Sequence, residues 1–430
     1  MNFKQYLIDK KSYIKKIEIQ ERELDISPNI AFITSLVGPR RAGKTYQIYN
    51  FIKRRKLKDG DYVFVNFEDD EIFGLGRDDI LNSILYHIEI YGTQPRYMFF
   101  DEVQAFEGWE RIIYTLYERK QYSIVITSSS SKLLSREIAT QLRGRSIPVL
   151  ILPFSFSEFI KLKGIEPGRD MDSETISTIK NALLQYLKYG GFPDIVLGNI
   201  VPEKFFMEYI DVLILKDVIE REHIRNIYVV KFLSNAILAS YSREFSVHKN
   251  YLQLKSNGIK TSKLAIYNYL YYFEDAFFCF FLSKFDFSIK KSVIASKKIF
   301  LNDVGIAGRY ATHSNDTGRL MENAVFLELK RRFYESDKEI YYWKDYSGRE
   351  VDFIIKKGNR VEQLIQVTYA SGINDIEKRE LLGLGVAGNS LKCNNMIIIT
   401  WDYDGTVYTE KTEAGINCIS LWKWLISYNE

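Results

Sequence analysis

The chain has 430 residues, 46% of them hydrophobic and 27% charged, and its 59 Lys+Arg against 55 Asp+Glu leave a formal net charge of +4. That length predicts two or three domains, folded throughout, and the near-balanced charge excludes a basic composition that would by itself signal nucleic acid. Three scattered cysteines (Cys279, Cys393, Cys418) and four isolated histidines (His87, His223, His248, His313) form neither a disulfide framework nor a metal-ligand spacing, which suits a reducing cytoplasm. The N-terminus lacks a long apolar stretch, so no signal peptide is expected, and the apolar run 277–282 is too short to span a bilayer.

In chain order, residues 31–37 form a short apolar run with β-branched members, the mark of a buried parallel strand. Next comes Gly38-Pro39-Arg40-Arg41-Ala42-Gly43-Lys44-Thr45, which matches G-x-x-x-x-G-K-[ST]. The glycines let backbone N–H groups point inward at phosphate oxygens. The following helix, predicted over 45–56, adds positive potential at its N-terminus. Lys44 would pair with β/γ-phosphates, and the Thr45 hydroxyl would reach Mg²⁺. A nucleotide phosphate site is the direct reading. The cationic run at 53–56 closes that helix and reads first as a solvated face matched to the helix dipole.

The apolar strand 97–100 ends in Asp101-Glu102. An acid at such a strand end holds the magnesium, and the next carboxylate polarises the attacking water, so Asp101 is the metal-side candidate and Glu102 the general base. Two acids that merely open a turn are the plainer alternative. Residues 123–127 form another β-branched run, followed by four serines. Ser129 is the preferred candidate to contact the γ-phosphate or the water, with Ser128 and Ser130 as close rivals. A serine-rich helix cap is the competing view. Arg143 and Arg145, in Gln141-Leu142-Arg143-Gly144-Arg145, are candidates for an arginine finger acting in a neighbouring subunit, or for structural ion pairs.

Beyond residue 155 the strand–helix alternation stops. Residues 172–238 carry apolar positions three and four apart, interrupted by Gly190-Gly191 and turned by Phe192-Pro193, which suggests a helical lid. Residues 245–275 read as helix, turn at Asn257-Gly258, and helix, the pattern of a winged-helix module. Its second helix holds a single Lys and no Arg, so DNA reading competes with packing or protein docking. The lysines at 290, 291, 297 and 298 read mainly as a solvated face.

Together, the loop 38–45, Phe99-Phe100-Asp101-Glu102-Val103, Leu142-Arg143-Gly144-Arg145, and Pro153-Phe154-Ser155-Phe156-Ser157-Glu158-Phe159 resemble the AAA-type ATPases of archaea and bacteria. In those proteins an AAA+ module is joined to a C-terminal domain resembling restriction-endonuclease folds. Gly190-Gly191-Phe192-Pro193 and Gly348-Arg349-Glu350-Val351-Asp352-Phe353 also sit where that family would place them, although Ser128 stands where a glycine is expected. The resemblance implies an α/β chain with ATP as nucleotide and Mg²⁺ as cofactor. Its parts are a parallel-sheet AAA+ core (1–160), a helical lid (161–240), a winged-helix-like region (241–298) and a C-terminal α/β nuclease-like domain (299–430). Such nuclease folds hold Mg²⁺ with a helix acid, a strand Asp and E-x-K on the next strand. Here Glu322 and Asp352 fit the frame, but Gln366 and Thr368 replace the E-x-K pair, so no confident cleavage is expected. Surface acids are the plain alternative for Glu322 and Asp352. Two functions stay open: a homo-oligomeric ATPase motor or switch acting on DNA or a protein partner, or a nucleotide-gated protein-docking module with slow turnover. Both would be cytoplasmic and without membrane attachment.

Overall fold

A computed structural model describes residues 3–131, 142, 144–168, 170–310, 316–334, 336–409 and 412–427, without the side chains of 409 and 412–414. The chain divides into two compact units, one of residues 1–153 with 275–277, the other of residues 154–274 with 278–430.

In the first unit, α1 (Phe3–Lys16), β1 (Ile33–Val37), α2 (Lys44–Arg54), β2 (Tyr62–Asn66), α3 (Arg77–Tyr91), β3 (Tyr97–Asp101), α4 (Trp109–Glu118), β4 (Ser123–Ser128) and β5 (Ser146–Leu150) follow one another. The five strands pair in parallel in the order β2-β3-β4-β1-β5. Every residue of β1 and β4 is buried, as continuous apolar runs covered on both faces should be. Phe64, Phe99 and Val125 of the sheet meet Ile48, Phe51 and Ile52 of α2 in one core cluster. Because β4 lies between β3 and β1, the carboxyl ends of three strands come side by side. In open parallel sheets that edge is where ligands bind.

The second unit opens with α5 (Phe156–Leu162), α6 (Ser173–Tyr189), α7 (Pro202–Val212, continued in π-helical geometry through Glu220) and α8 (Ile227–Ala239). The Gly190-Gly191 break is a packed corner. Gly190 has φ 76°, a Cβ on Gly191 would lie 2.2 Å from the Phe154 carbonyl oxygen, and the Asp303 carboxylate accepts the Gly191 N–H at 2.8 Å. Next come β6 (Arg243–Phe245), α9 (Val247–Ser256), α10 (Lys263–Asp275), β7 (Cys279–Leu282), α11 (Ile289–Ile294) and β8 (Lys297–Leu301), whose strands form an antiparallel sheet ordered β6-β8-β7. The remainder is α12 (Val304–Tyr310), α13 (Thr317–Phe333), β9 (Lys338–Lys344), β10 (Glu350–Lys357), β11 (Arg360–Val367), α14 (Lys378–Leu391), β12 (Met396–Thr400), β13 (Gly405–Thr409), β14 (Thr412–Ser420) and α15 (Leu421–Ile426). Its six strands form a mixed sheet ordered β13-β14-β12-β11-β10-β9. Among the described residues, no helix is long and apolar enough to cross a membrane.

Candidate functional site

The loop 38–43 leaves β1 through three left-handed or near-extended residues: Gly38 at φ 155°, Arg41 at φ 61° and Gly43 at φ 96°. A Cβ on Gly38 would lie 2.0 Å from the Ile151 carbonyl oxygen, so only glycine fits there. Gly43 stands at the N-cap of α2, and no side chain caps that helix. Its first-turn N–H groups therefore look for an acceptor, which a phosphate supplies. Pro39 and Ala42 complete the turn, with the Ala42 N–H donating to the Pro39 carbonyl at 3.3 Å. Arg40 pairs with Glu68 at 3.2 Å on the exposed side.

Lys44 is buried, and its ammonium donates to the Gly38 and Pro39 carbonyls at 3.2 and 3.0 Å. It also lies 3.4 Å from Glu102. Next to it the Thr45 hydroxyl donates to Asp101 at 2.8 Å, and the Thr127 hydroxyl donates to the other Asp101 oxygen at 2.6 Å. Burial, and then the Glu102 charge, push the Asp101 carboxyl up to about 7, against the pull of those two hydroxyls and Lys44. Burial also acts to raise Glu102. There Lys44 and a hydrogen bond from Gln104 outweigh it and hold the carboxylate below its ordinary range. The two neighbouring acids are thus pushed in opposite directions.

Glu102 itself has φ 49° and ψ 52°. A non-glycine residue costs roughly 1–2 kcal/mol in that region. Three contacts hold it there. Its N–H donates to Thr127 Oγ1 at 2.8 Å, and its carboxylate accepts from Gln104 Nε2 at 2.5 Å and from the Ser129 N–H at 3.2 Å. Gln104 Nε2 also lies 3.3 Å from Ser129 Oγ.

Among the three serines, the geometry brings Ser129 to Glu102. Ser128 Oγ accepts the Ser130 N–H at 3.0 Å, and the Ser130 and Ser131 hydroxyls donate to Asp275, which belongs to the same compact unit. Arg143 lies outside the described residues. Arg145 forms an ion pair with Glu118 and stacks 5.3 Å over the Tyr117 ring, the structural alternative weighed for it. Thr127 and Gln104 were not anticipated. Thr127 sits inside an apolar strand run, where a hydroxyl reads as β-propensity. Gln104 follows the acid pair by two residues, and only the turn after β3 aims it back at Glu102.

In the second unit Glu322 (α13), Asp352 (β10) and Gln366 (β11) do converge, and all are buried, so the surface-acid alternative fails. Their centre holds a lysine. Lys298 Nζ lies 2.9 Å from Glu322, 3.0 Å from Asp352 and 2.5 Å from Glu350. The solvated-face reading of the lysine run therefore holds for exposed Lys297 but fails for Lys298. Successive residues of a strand face opposite sides, and β8 turns one lysine out and the next one in. Gln366 does not offer its oxygen to the centre. Its Nε2 donates to Asp352 at 2.7 Å, and its Oε1 faces the Asp352 N–H at 3.4 Å. Thr368 hydrogen-bonds Glu380, whose carboxyl burial pushes up to about 7. Burial acts to strip the Lys298 proton, but Glu322, Asp352 and Glu350 outweigh it and keep the amine protonated. Burial likewise pushes Glu322 up to about 8, opposed by Lys298. Among the described residues no three His, Cys, Asp or Glu side chains are grouped to hold a metal ion.

A parallel sheet with a glycine loop, a buried lysine and two consecutive acids at the end of one strand defines the first unit as an AAA-type P-loop ATPase domain. The family model "AAA domain" matches residues 31–160, and two models described as domains of unknown function, DUF8612 and DUF4143, match residues 180–317 and 317–412. The uncharacterized protein MJ1544 of Methanocaldococcus jannaschii is 34% identical over 433 residues, covering 99% of this chain and 95% of its own. The chain belongs to the family of that archaeal protein. An uncharacterized protein of Haemophilus influenzae is 28% identical over 427 residues, covering 98% of this chain and 99% of its own. AMPPCP-bound DnaA from Aquifex aeolicus overlaps 63% of this chain and 87% of its own at 15% identity and a TM-score of 0.25, too loose a superposition to inform function.

Proposed function

We propose that the chain is a cytoplasmic, homo-oligomeric ATPase that couples Mg-ATP binding and hydrolysis to movement of its C-terminal parts against DNA or a protein partner. The observation that carries this reading is the convergence of Lys44, Thr45, Asp101, Glu102 and Ser129 beside an uncapped helix N-terminus. The N–H groups of the loop and of α2 would cradle the β-phosphate, and Lys44 would turn from its carbonyl partners to the γ-phosphate. Once Lys44 turns away, Glu102 loses its cationic neighbour and becomes a better base. Glu102 would then take a proton from the attacking water as the new O–P bond forms and the bond to the bridging oxygen breaks, releasing ADP. Ser129 and Gln104 would hold the water and the Glu102 carboxylate in line. Thr45 and Asp101 form a hard-oxygen pair that suits Mg²⁺. When bound, the ion would supply positive charge to the phosphate oxygens.

Arg143 would be the finger acting across an oligomer interface, while Arg145 pairs with Glu118. The parts after the core are assigned as lid (161–240), winged-helix-like region (241–298) and nuclease-like domain (299–430), the last without cleavage because Lys298 fills its acidic centre. The test is steady-state ATP turnover, with and without duplex DNA, in the parent, Lys44→Ala and Glu102→Gln. Turnover that collapses in both variants supports the motor, and stimulation by DNA names the cargo. ATP binding with negligible parent turnover favours a nucleotide-gated docking module.

A further inference from the structure

Helix α11 (Ile289–Ile294) has no buried residue at all. Its Ile289, Val293 and Ile294 are 81%, 69% and 75% exposed. A helix of six residues has no stability of its own, and helices in proteins are held mainly by packing an apolar face. Across from it, α10 turns Leu264, Tyr267 and Tyr271 to solvent, three positions that share one helical face at i, i+3 and i+7. Between the two helices runs a groove of about 620 Å³, walled by Phe245, Tyr267, Leu270, Tyr271, Val293 and Ile294.

That volume falls in the range of ligand pockets, about 300–1,000 Å³. However, Leu264 on α10, Ile289 on α11 and Phe287 just before it add further exposed apolar side chains on the two elements that wall the groove. Contiguous exposed apolar surface of this kind marks an interaction site. Its rim is basic. Lys290, Lys291 and Lys297 are exposed and enter no ion pair among the described residues. The carboxylate of that stretch, Asp286, accepts the Ser288 N–H at 2.8 Å. Glu274, which also borders the groove, accepts the Phe281 N–H at 3.3 Å.

We infer that this groove docks an amphipathic segment of another protein, with apolar residues at helical spacing and acidic residues flanking them. Large side chains of the partner would enter between Tyr267, Tyr271 and Val293, the aromatic and aliphatic anchors of the surface. Its carboxylates would meet the three lysines and set orientation and salt dependence. Duplex DNA fits the surface poorly. The outward face of α10 would press leucine and tyrosine against the sugar–phosphate backbone, where that helix offers only Lys263, at its start. The inference goes beyond the ATPase reading and does not depend on turnover.

The test is a selection of random peptides of roughly 16 residues, enough for four helical turns, displayed against the full chain. Enriched peptides are then labelled and titrated by fluorescence anisotropy. Enriched sequences should combine helical apolar spacing with Asp or Glu. Val293→Asp should weaken them at least about tenfold, and Lys290→Glu with Lys291→Glu roughly threefold to tenfold, less at high salt. Lys44→Ala should bind them like the parent, which separates this result from the fate of the ATPase reading. An unchanged melting temperature establishes that each variant folds. Four results would overturn the inference: no enrichment over bare support; peptides that bind Val293→Asp as well as the parent; displacement of the peptides by a duplex of about 20 base pairs, which would assign the surface to DNA; or a fall in mass by light scattering with Val293→Asp, which would assign it to a second copy of this chain.

Discussion

Two lysines lie at the centres of two clusters of acids, and both are buried, Lys44 at 4% exposure and Lys298 at 3%. Lys44 rests on two neutral carbonyls and keeps its one carboxylate at 3.4 Å. Lys298 is gripped by three acidic side chains, at 2.5, 2.9 and 3.0 Å. A phosphate can outbid carbonyls for an ammonium, because it adds the attraction of a full opposite charge, which a neutral carbonyl lacks. It cannot outbid the acids that close around Lys298, since buried Asp352 would be left without a cation. The same residue type therefore sits among mostly neutral partners in one unit and among acids in the other, and the number of acidic partners separates the two.

Lys44→Ala should produce the largest functional effect, a loss of ATP turnover of at least about a hundredfold. The melting temperature should barely move, since the lost partners are mostly neutral. Lys298→Ala should do the reverse. Removing one member of a buried charge cluster costs about 3–5 kcal/mol, so chemical denaturation should show a large loss while nucleotide affinity of the intact chain is retained.

The pH dependence sharpens the contrast. Glu322 is raised from 4.5 to about 8, chiefly by burial. The folded chain thus keeps a proton that the unfolded chain loses, and this contribution to stability is fully present below about pH 4.5. It falls as pH rises and is gone above about 8, with a slope of at most about 1.4 kcal/mol per pH unit. Glu322→Gln should flatten that slope in denaturation curves taken across the window. Gln104→Ala should lower the turnover number roughly tenfold with little change in KM, because it positions Glu102 and does not hold nucleotide. The smallest effect belongs to Arg145→Ala. An exposed ion pair with Glu118 contributes little to stability because solvent screens it, and turnover should persist if Arg143 is the finger.

The centre around Lys44 was largely legible in the sequence because its parts are local. Gly38 to Thr45 are contiguous, and Asp101-Glu102 and Ser129 each follow an unmistakable apolar strand. What was missed there, Thr127 and Gln104, makes contacts that only the β3–β4 pairing creates. The centre around Lys298 was half legible. Glu322, Asp352 and Gln366 fitted a known frame, but Lys298 comes from a strand of a different sheet and lies 24 and 54 residues from two of its partners. In the sequence it stands in a lysine pair that looks like solvated surface. Strand alternation could have split that pair, had β8 been recognised as a strand. The exposed α11 was hidden for the opposite reason: a short apolar stretch reads as core until the fold leaves it uncovered.

The most direct test of the contrast is Mn²⁺ binding to the intact chain, followed by electron paramagnetic resonance with and without a non-hydrolysable ATP analogue. The expected result is tight binding of about one ion per chain only when nucleotide is present, abolished by Asp101→Asn and unaffected by Asp352→Asn. Tight binding without nucleotide that survives Asp101→Asn and disappears with Asp352→Asn would contradict it, because the centre around Lys298 would then be open.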